Sequence, residues 1–377
     1  MNPPTLTMNK SFYLFIFSTP IIIFQGLITC KYFSQVENHN ILIFIPALIS
    51  AIFSSYLLLS TILKTFNKEK EPKKIDVLKN NYRAINIALY VCLITLLLLF
   101  IASKNGIHDY AAYLKQWNIV NQGSDPWIGT DNAYLPIHNL FAPLAAINSS
   151  IPKIFFFCIF IIPMYLTSVR KINFKRELDK ISKLKIFLIF AFNPFCVVFT
   201  SLYGTNDVLV AGLIVFSLYF SSSKKKKLNS LISGFSLAIA TMVKIYPIFI
   251  APLFIFRKRK MDITFFTSYL LSLTGIVFTS ILIWGRSTFI PILFAVERHS
   301  KHLSFFNFSR KVIGINLDQY SVYLVGLVLV LSLFFMYKKK IDLLPAVILT
   351  LTLAFSFYKV GHPQFFLIFF AISPMTI

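Results

Sequence analysis

The stretch Ser236–Phe256, SLAIATMVKIYPIFIAPLFIF, is apolar almost throughout yet carries one lysine, Lys244, followed by Ile245, Tyr246 and Pro247. A lysine in the middle of a membrane-length segment costs about 2.5–3.5 kcal/mol on insertion scales. Basic clusters stand on both sides, Lys224–Lys227 before it and Arg257-Lys258-Arg259-Lys260 after it. Both flanks read as cytoplasmic, and one straight helix would put them on opposite faces. Two short crossings meeting near Lys244–Pro247 keep both inside. Each would be about 14 residues, or about 21 Å at roughly 1.5 Å per residue. Half-spans of that length occur where they line a protein cavity instead of lipid. Pro247 donates no helical hydrogen bond and pushes Tyr246 out of helical geometry, so a break there is natural. The overall tally of basic residues hardly separates the two topologies. The local clusters do, because one crossing would strand both 257–260 and Lys338–Lys340 outside, at membrane ends, where the positive-inside rule is strongest.

The rest of the chain supports a membrane reading. Of 377 residues, 56% are hydrophobic and 14% charged, against about 25% charged in soluble domains. Mean hydropathy is +0.72. The net charge of +23 does not indicate a nucleic-acid ligand, because the basic residues lie in short clusters between apolar runs and no soluble basic domain exists to hold one. Cys30, Cys92, Cys158 and Cys196 all lie in apolar stretches without metal-ligand spacing and read as buried packing residues, with no disulfide framework.

Roughly 20 apolar residues cross a bilayer. Candidate spans are 11–30, 41–63, 84–102, 151–169, 186–203, 207–222, 263–284, 320–337, 343–358 and 363–377. With the two crossings of 228–256 the fold class is an all-α polytopic membrane protein, a bundle of about 12 transmembrane helices with large outer loops at 103–150 and 285–319. Both termini are then cytoplasmic, and Lys244 faces outside at the tip of a helical hairpin, within reach of water or an anionic headgroup. Snorkelling to the interface is the simpler role.

In this topology polar residues gather on the outer face. Asp109 opens a segment in which Tyr110, Tyr113, Leu114 and Trp117 recur at helical spacing, the pattern of an amphipathic interfacial helix. The aspartate is either a helix N-cap or a carboxylate that does chemistry near the membrane surface. The motif GTND, Gly204–Asp207, opens another span on this face. Asn206 can cap that helix, or the helix start can bind an anion, which Asp207 would weaken. Glu297–Lys311 holds Arg298, His299, Lys301, His302 and Arg310, and Tyr358–Phe366 adds Lys359, His362 and Gln364. Such runs are usually just solvated. Here they are the densest cationic segment outside, which points to an anion. The six histidines show no paired metal spacing. One acid amid cations suits a phosphate-linked lipid: cations stabilise the departing phosphate, and the acid takes the proton of an incoming hydroxyl.

Four stretches in order resemble a known family. They are the outer loop with Asp109, then Gly123–Trp127 (GSDPW) and Tyr134–Pro136 (YLP); Asn193–Phe195 (NPF) followed by YGTND; Gly234–Phe254; and His299–Ser309 paired with Lys359–Leu367. Over roughly 85–375 the chain resembles GT-C type glycosyltransferases that use polyprenyl-phosphate donors, above all the first mannosyltransferase of GPI-anchor assembly and its bacterial relatives. The resemblance implies a GT-C-like catalytic module at 84–377 preceded by two membrane helices and a basic loop at 1–83. It implies Asp109 as the catalytic acid-base residue and a polyprenyl-phosphate-linked mannose or other hexose as donor. It further implies inversion at the sugar carbon, and a site facing the periplasm or the ER lumen. The acceptor would be a lipid-linked glycan or glycolipid. Lys244, Tyr246, Asn206, Asp207, Arg298, His299, His302, His362 and Gln364 are the candidate phosphate and sugar contacts. Relatives often carry two acids in the first loop, whereas here His108 stands beside a single Asp109. No cofactor is therefore assigned, and a divalent cation stays open. Two spans also precede the one feeding the catalytic loop, where the family usually has one. The Phe-, Ile- and Lys-rich composition points to a bacterial inner membrane. Two other readings remain: an O-antigen-type polymerase, which would show arginines in its large outer loops, and a lipid or polysaccharide flippase, which would show mid-membrane charge pairs and internal repeats.

Overall fold

The computed structural model describes residues 109–375 apart from 130–132, 170–185, 189, 192, 223–225, 258–260, 303 and 339–340. The expected spans 11–30, 41–63 and 84–102, the N-terminal segment 1–83, His108, Cys30 and Cys92 lie outside the described residues. Helices joined by turns and short loops make up the described residues, whose only strands form one two-residue parallel pairing.

The loop after residue 108 forms three helices, α1 (Asp109–Asn121), α2 (Pro136–Asn139) and α3 (Ala142–Ile147). The long helix α4 (Ile151–Val169) follows. After α5 (Pro194–Val197) and one π-helical turn at Val198–Leu202 come α6 (Asp207–Ser222) and α7 (Lys226–Val243). A 3-10 segment, Tyr246–Ile250, leads to α8 (Ala251–Ile255), and then α9 (Ile263–Trp284) begins. Beyond it lie α10 (Ile290–Glu297), α11 (Phe305–Phe308), α12 (Ser321–Tyr337), α13 (Leu343–Phe357) and α14 (Leu367–Ile372). Strands β1 (Lys301–His302) and β2 (Val360–Gly361) pair in parallel, with Lys301 opposite Val360 and His302 opposite Gly361.

At the centre sits α6, buried almost all round from Asp207 to Leu218. Its contact with α4 is backbone on backbone: a Cβ on Gly212 would stand 2.2 Å from the Ile159 carbonyl oxygen, so only glycine fits. Close approach of this kind, and hydroxyls bridging helices, hold bundles together where water supplies no driving force. The α6–α7 seam has the second device. Ser217 and Ser233 each donate to the other's carbonyl at 2.9 Å. Thr350 donates to Ser332 at 2.7 Å between α13 and α12.

The stretch from Ser236 to Phe256 breaks where Lys244 and Pro247 led us to expect. Helix α7 stops at Val243, and the chain resumes as a 3-10 turn at Tyr246. It then returns to the end from which α7 began. Arg257 donates to the Ser221 carbonyl (2.7 Å) and to the Ser230 hydroxyl (2.8 Å), and Ser230 also donates to Asp262 at 3.0 Å. Residues 226–257 therefore form a hairpin whose tip carries Lys244.

Among the described residues three helical runs are long and apolar enough to cross a membrane, Ile151–Ser168, Ile263–Glu297 and Asp318–Tyr337, and the other apolar helices are shorter. This fits an all-α membrane protein; the figure of about 12 spans goes beyond what the described residues contain. Two expectations need correction. The apolar side of α1 does not lie on a membrane interface, because Tyr110, Tyr113 and Trp117 are fully buried within the protein core. They meet rings from other parts of the protein: Trp117 lies against His138 and Phe156, and Tyr113 against Tyr134, at 5.0, 6.5 and 4.7 Å. Cys196 is buried as expected, but Cys158 is exposed, on the same side of α4 as the exposed Ile154, Phe155 and Ile162.

Candidate active site

The helix starts of α1 and α6, the hairpin tip and the segment after β2 meet at one end of the bundle. Asp109 is the first residue of α1, and Gln364 Nε2 donates to its Oδ2 at 3.1 Å. Asp207 opens α6 and is fully buried. Lys244 Nζ donates to Asp207 Oδ2 at 2.6 Å. The lysine that the sequence placed facing water or a headgroup is thus paired with a carboxylate, and its side chain is only 13% exposed. Desolvating two charges is worthwhile only with such close geometry. Asp207 Oδ1, in contrast, is buried without a hydrogen-bond partner.

Asn206 does not spend its side chain on a helix cap. Its Oδ1 accepts from the Tyr113 hydroxyl at 3.0 Å, and its Nδ2 lies 3.4 Å from His138 Nδ1. His138 is fully buried, stacked on Trp117 at 5.0 Å and 29°, with Tyr113 and Tyr134 rings at 4.6 and 4.8 Å. Burial, reinforced by the charge of Lys244, pushes His138 down to about 3, so the ring is neutral.

Tyr134 marks the centre of the cluster. Lys244 Nζ lies 6.0 Å from its ring and 5.5 Å from that of Phe365. After burial itself, Asp109 and Asp207 oppose ionisation of the Tyr134 phenol, while Arg298 favours it. Two acids and two cations therefore act on one ring. Arg298 donates to the Tyr358 hydroxyl at 3.3 Å, with its guanidinium 5.7 Å from that ring.

The remaining candidates divide. Tyr246 is buried, its ring on Phe355 and Phe365 at 5.2 and 5.3 Å, so it packs the wall behind Lys244. His362 lies edge-on to Phe365 at 5.5 Å. His299 is 75% exposed and stands 3.8 Å from Asp318. Much of the cationic segment around it is folded onto that acid: the Ser300 N–H donates to Asp318 at 2.9 Å, and Arg310 donates to the Ser300 carbonyl at 2.7 Å. This part of the run is a clasp and not a free cationic face. His302 lies on β1. Among the described residues no three His, Cys, Asp or Glu side chains converge as a metal site would require.

Sequence reasoning missed Tyr113, Tyr134 and His138 as site residues. Tyr113 was absorbed into an interfacial stripe, and His138 is one of six unremarkable histidines. Their only common signal was membership of the loop that begins at Asp109.

Acids and cations thus gather at one end of an apolar helical bundle whose long helices suit a membrane. The family model of glycosyltransferase family 87 matches residues 136–360, and the chain belongs to that family. It is therefore a glycosyltransferase. The matched region holds His138, Asn206, Asp207, Lys244, Arg298 and Tyr358, while Asp109 and Gln364 lie on either side of it. No curated protein and no solved structure matches the chain.

Proposed function

We propose that the protein moves a hexose, mannose foremost, from a polyprenyl-phosphate donor to a hydroxyl on a lipid-linked glycan or glycolipid. The chemistry takes place at the end of the bundle that holds Asp109, and in a bacterial inner membrane that end faces the periplasm. The observation that carries the reading is that Asp109, held by Gln364, and the Asp207–Lys244 pair, with Lys244 Nζ 6.0 Å from the Tyr134 ring, stand at the same end of the bundle. Asp109 takes the acceptor hydroxyl's proton as the oxygen attacks the anomeric carbon. The new carbon–oxygen bond forms on the face opposite the departing phosphate, so the centre inverts. The bond to the phosphate breaks, and the electron pair leaves with polyprenyl phosphate. Lys244 and Arg298 stabilise the charge that grows on that oxygen. Asp207 keeps Lys244 aimed, and Gln364 orients the Asp109 carboxylate by its hydrogen bond. A water-poor pocket strengthens each of these interactions.

The test supplies the full chain in lipid nanodiscs with a panel of polyprenyl-phosphate sugars and acceptor lipids. Free polyprenyl phosphate should appear with one donor in wild type and not in Asp109→Asn. Absence of release with every monophosphate donor, but chain growth from a lipid diphosphate oligosaccharide, would replace this reading with a polymerase.

A further inference from the structure

Lys153 is fully buried at the third position of α4, in a segment otherwise made for lipid and protein. Nothing in the reaction above uses it. An ionisable side chain in such a place is rarely idle. Its Nζ donates to the Ser201 carbonyl at 3.3 Å and stands 4.5 Å from the centre of the Tyr110 ring. Ser201 lies in the last turn of the helical run Pro194–Leu202. Carbonyls at a helix C-terminus carry partial negative charge, and the ring face does as well. Both partners suit a cation.

The two partners belong to the two halves of the site. Tyr110 adjoins Asp109, and its hydroxyl donates to the Ser149 carbonyl at 2.5 Å, just before α4. Ser201 leads into the loop that delivers Asn206 and Asp207. Between them Gly204 adopts φ +56°, and a Cβ there would sit 2.7 Å from Lys153 Cγ and 2.8 Å from both Lys153 Cε and Tyr110 Cδ2. The loop therefore rests directly on the lysine stem and the tyrosine ring. Lys153 touches both sides of the gap between the proposed base and the acid that holds Lys244.

We propose that Lys153 is a positioning residue: it ties the start of α1 to the 203–207 loop and so sets the separation of Asp109 from the Asp207–Lys244 pair. The inference rests on Asp109 acting as the base. Its physical content is geometric, since a displacement of about 1 Å of reacting groups costs about 100-fold in rate. Lys153→Met keeps the stem that supports Gly204 and removes the charge.

Two quantities are read on the full chain in nanodiscs. The first is hydrogen exchange of the amides from Gly204 to Val208, which requires no activity. It should rise about tenfold in K153M while exchange across α9 is unchanged. The second is steady-state transfer, in which kcat should fall about 100-fold with KM within about twofold of wild type. Unchanged exchange together with unchanged kcat overturns the inference, whatever the donor. A wild-type enzyme inactive with every donor sinks the proposed function, and the exchange measurement still decides the role of Lys153. If K153M does not fold, Lys153→Gln, which keeps a polar donor on a shorter stem, is read by the same two quantities. The same kcat loss at constant KM supports the inference, and wild-type kcat overturns it.

Discussion

The two ends of the central helices each hold one acid–base pair, and the pairs are built differently. At the end that carries Arg257, Asp262 is saturated. Its Oδ1 accepts from the Phe265 N–H, capping α9. Its Oδ2 accepts from Ser230 and from Arg257, and Arg257 reaches on to Ser221. At the other end, Asp207 accepts Lys244 on one oxygen and leaves the second buried without a partner. A buried acceptor without a partner costs roughly 1–3 kcal/mol. The first pair differs at its carboxylate, where both oxygens are filled, while its base, Arg257, leaves Nε buried without a partner. The Asp262 carboxylate is spent as a staple between helices, whereas the Asp207 carboxylate keeps one oxygen in reserve where the other charged groups gather.

Substitutions should therefore separate the two ends by their effect on transfer. Asp109→Asn should lower transfer by about 1,000-fold, the middle of the range for a lost general base, while the unfolding midpoint hardly moves. An active variant would remove Asp109 from the mechanism. Lys244→Met leaves the Asp207 carboxylate buried and uncompensated, which should cost about 3–5 kcal/mol of stability. The double change Lys244→Met with Asp207→Asn should return most of that stability and none of the transfer. Recovery of both would make the pair a staple like the other.

A smaller effect is read through pH. His138 has its pKa depressed from 6.5 to about 3 by burial and by Lys244. A group with a depressed folded-state value stabilises above its unfolded value and loses that contribution as pH falls from 6.5 towards 3. Between pH 6.5 and 5 the loss should be about 2 kcal/mol, at roughly 1.4 kcal/mol per pH unit. Denaturant titrations of wild type and His138→Gln check it, and the variant should show the flatter acid limb. Equal limbs would mean another group carries the acid sensitivity. The least effect on transfer is expected at the Asp262 end. Asp262→Ala removes the α9 cap and leaves Arg257, 12% exposed, without its acid, which should cost about 3 kcal/mol of stability, with transfer within about twofold of wild type. A larger loss of transfer would show that the two ends communicate.

Much of the helix layout was legible because apolar run length is a one-dimensional property. The expected spans 151–169, 207–222 and 263–284 coincide with α4, α6 and α9. The last span, 363–377, was too simple, since it begins with the 3-10 turn Pro363–Phe366 before α14. The break at Lys244–Pro247 was legible too, because Pro removes a donor and Lys resists hydrocarbon. The same argument about charge applied to Lys153 at the mouth of α4, where it was not made. Asp109 was singled out by its place at the start of the outer-loop helical segment.

The pairings were not legible. Lys244 meets Asp207 across 37 positions, Tyr113 meets Asn206 across 93, and Gln364 meets Asp109 across 255. No local periodicity encodes contacts at those separations. The sequence by itself determined a helical membrane chain, where its helices run, and that Lys244 sits at a break. Composition and run length settle those, through the cost of placing polar groups in hydrocarbon. Only the tertiary structure decided that this lysine serves an aspartate, that the aromatic side of α1 is core, and that part of the basic run at 298–311 clasps Asp318. Each depends on which surfaces the bundle brings together, and electrostatics acts over a few ångströms in space, whatever the distance along the chain.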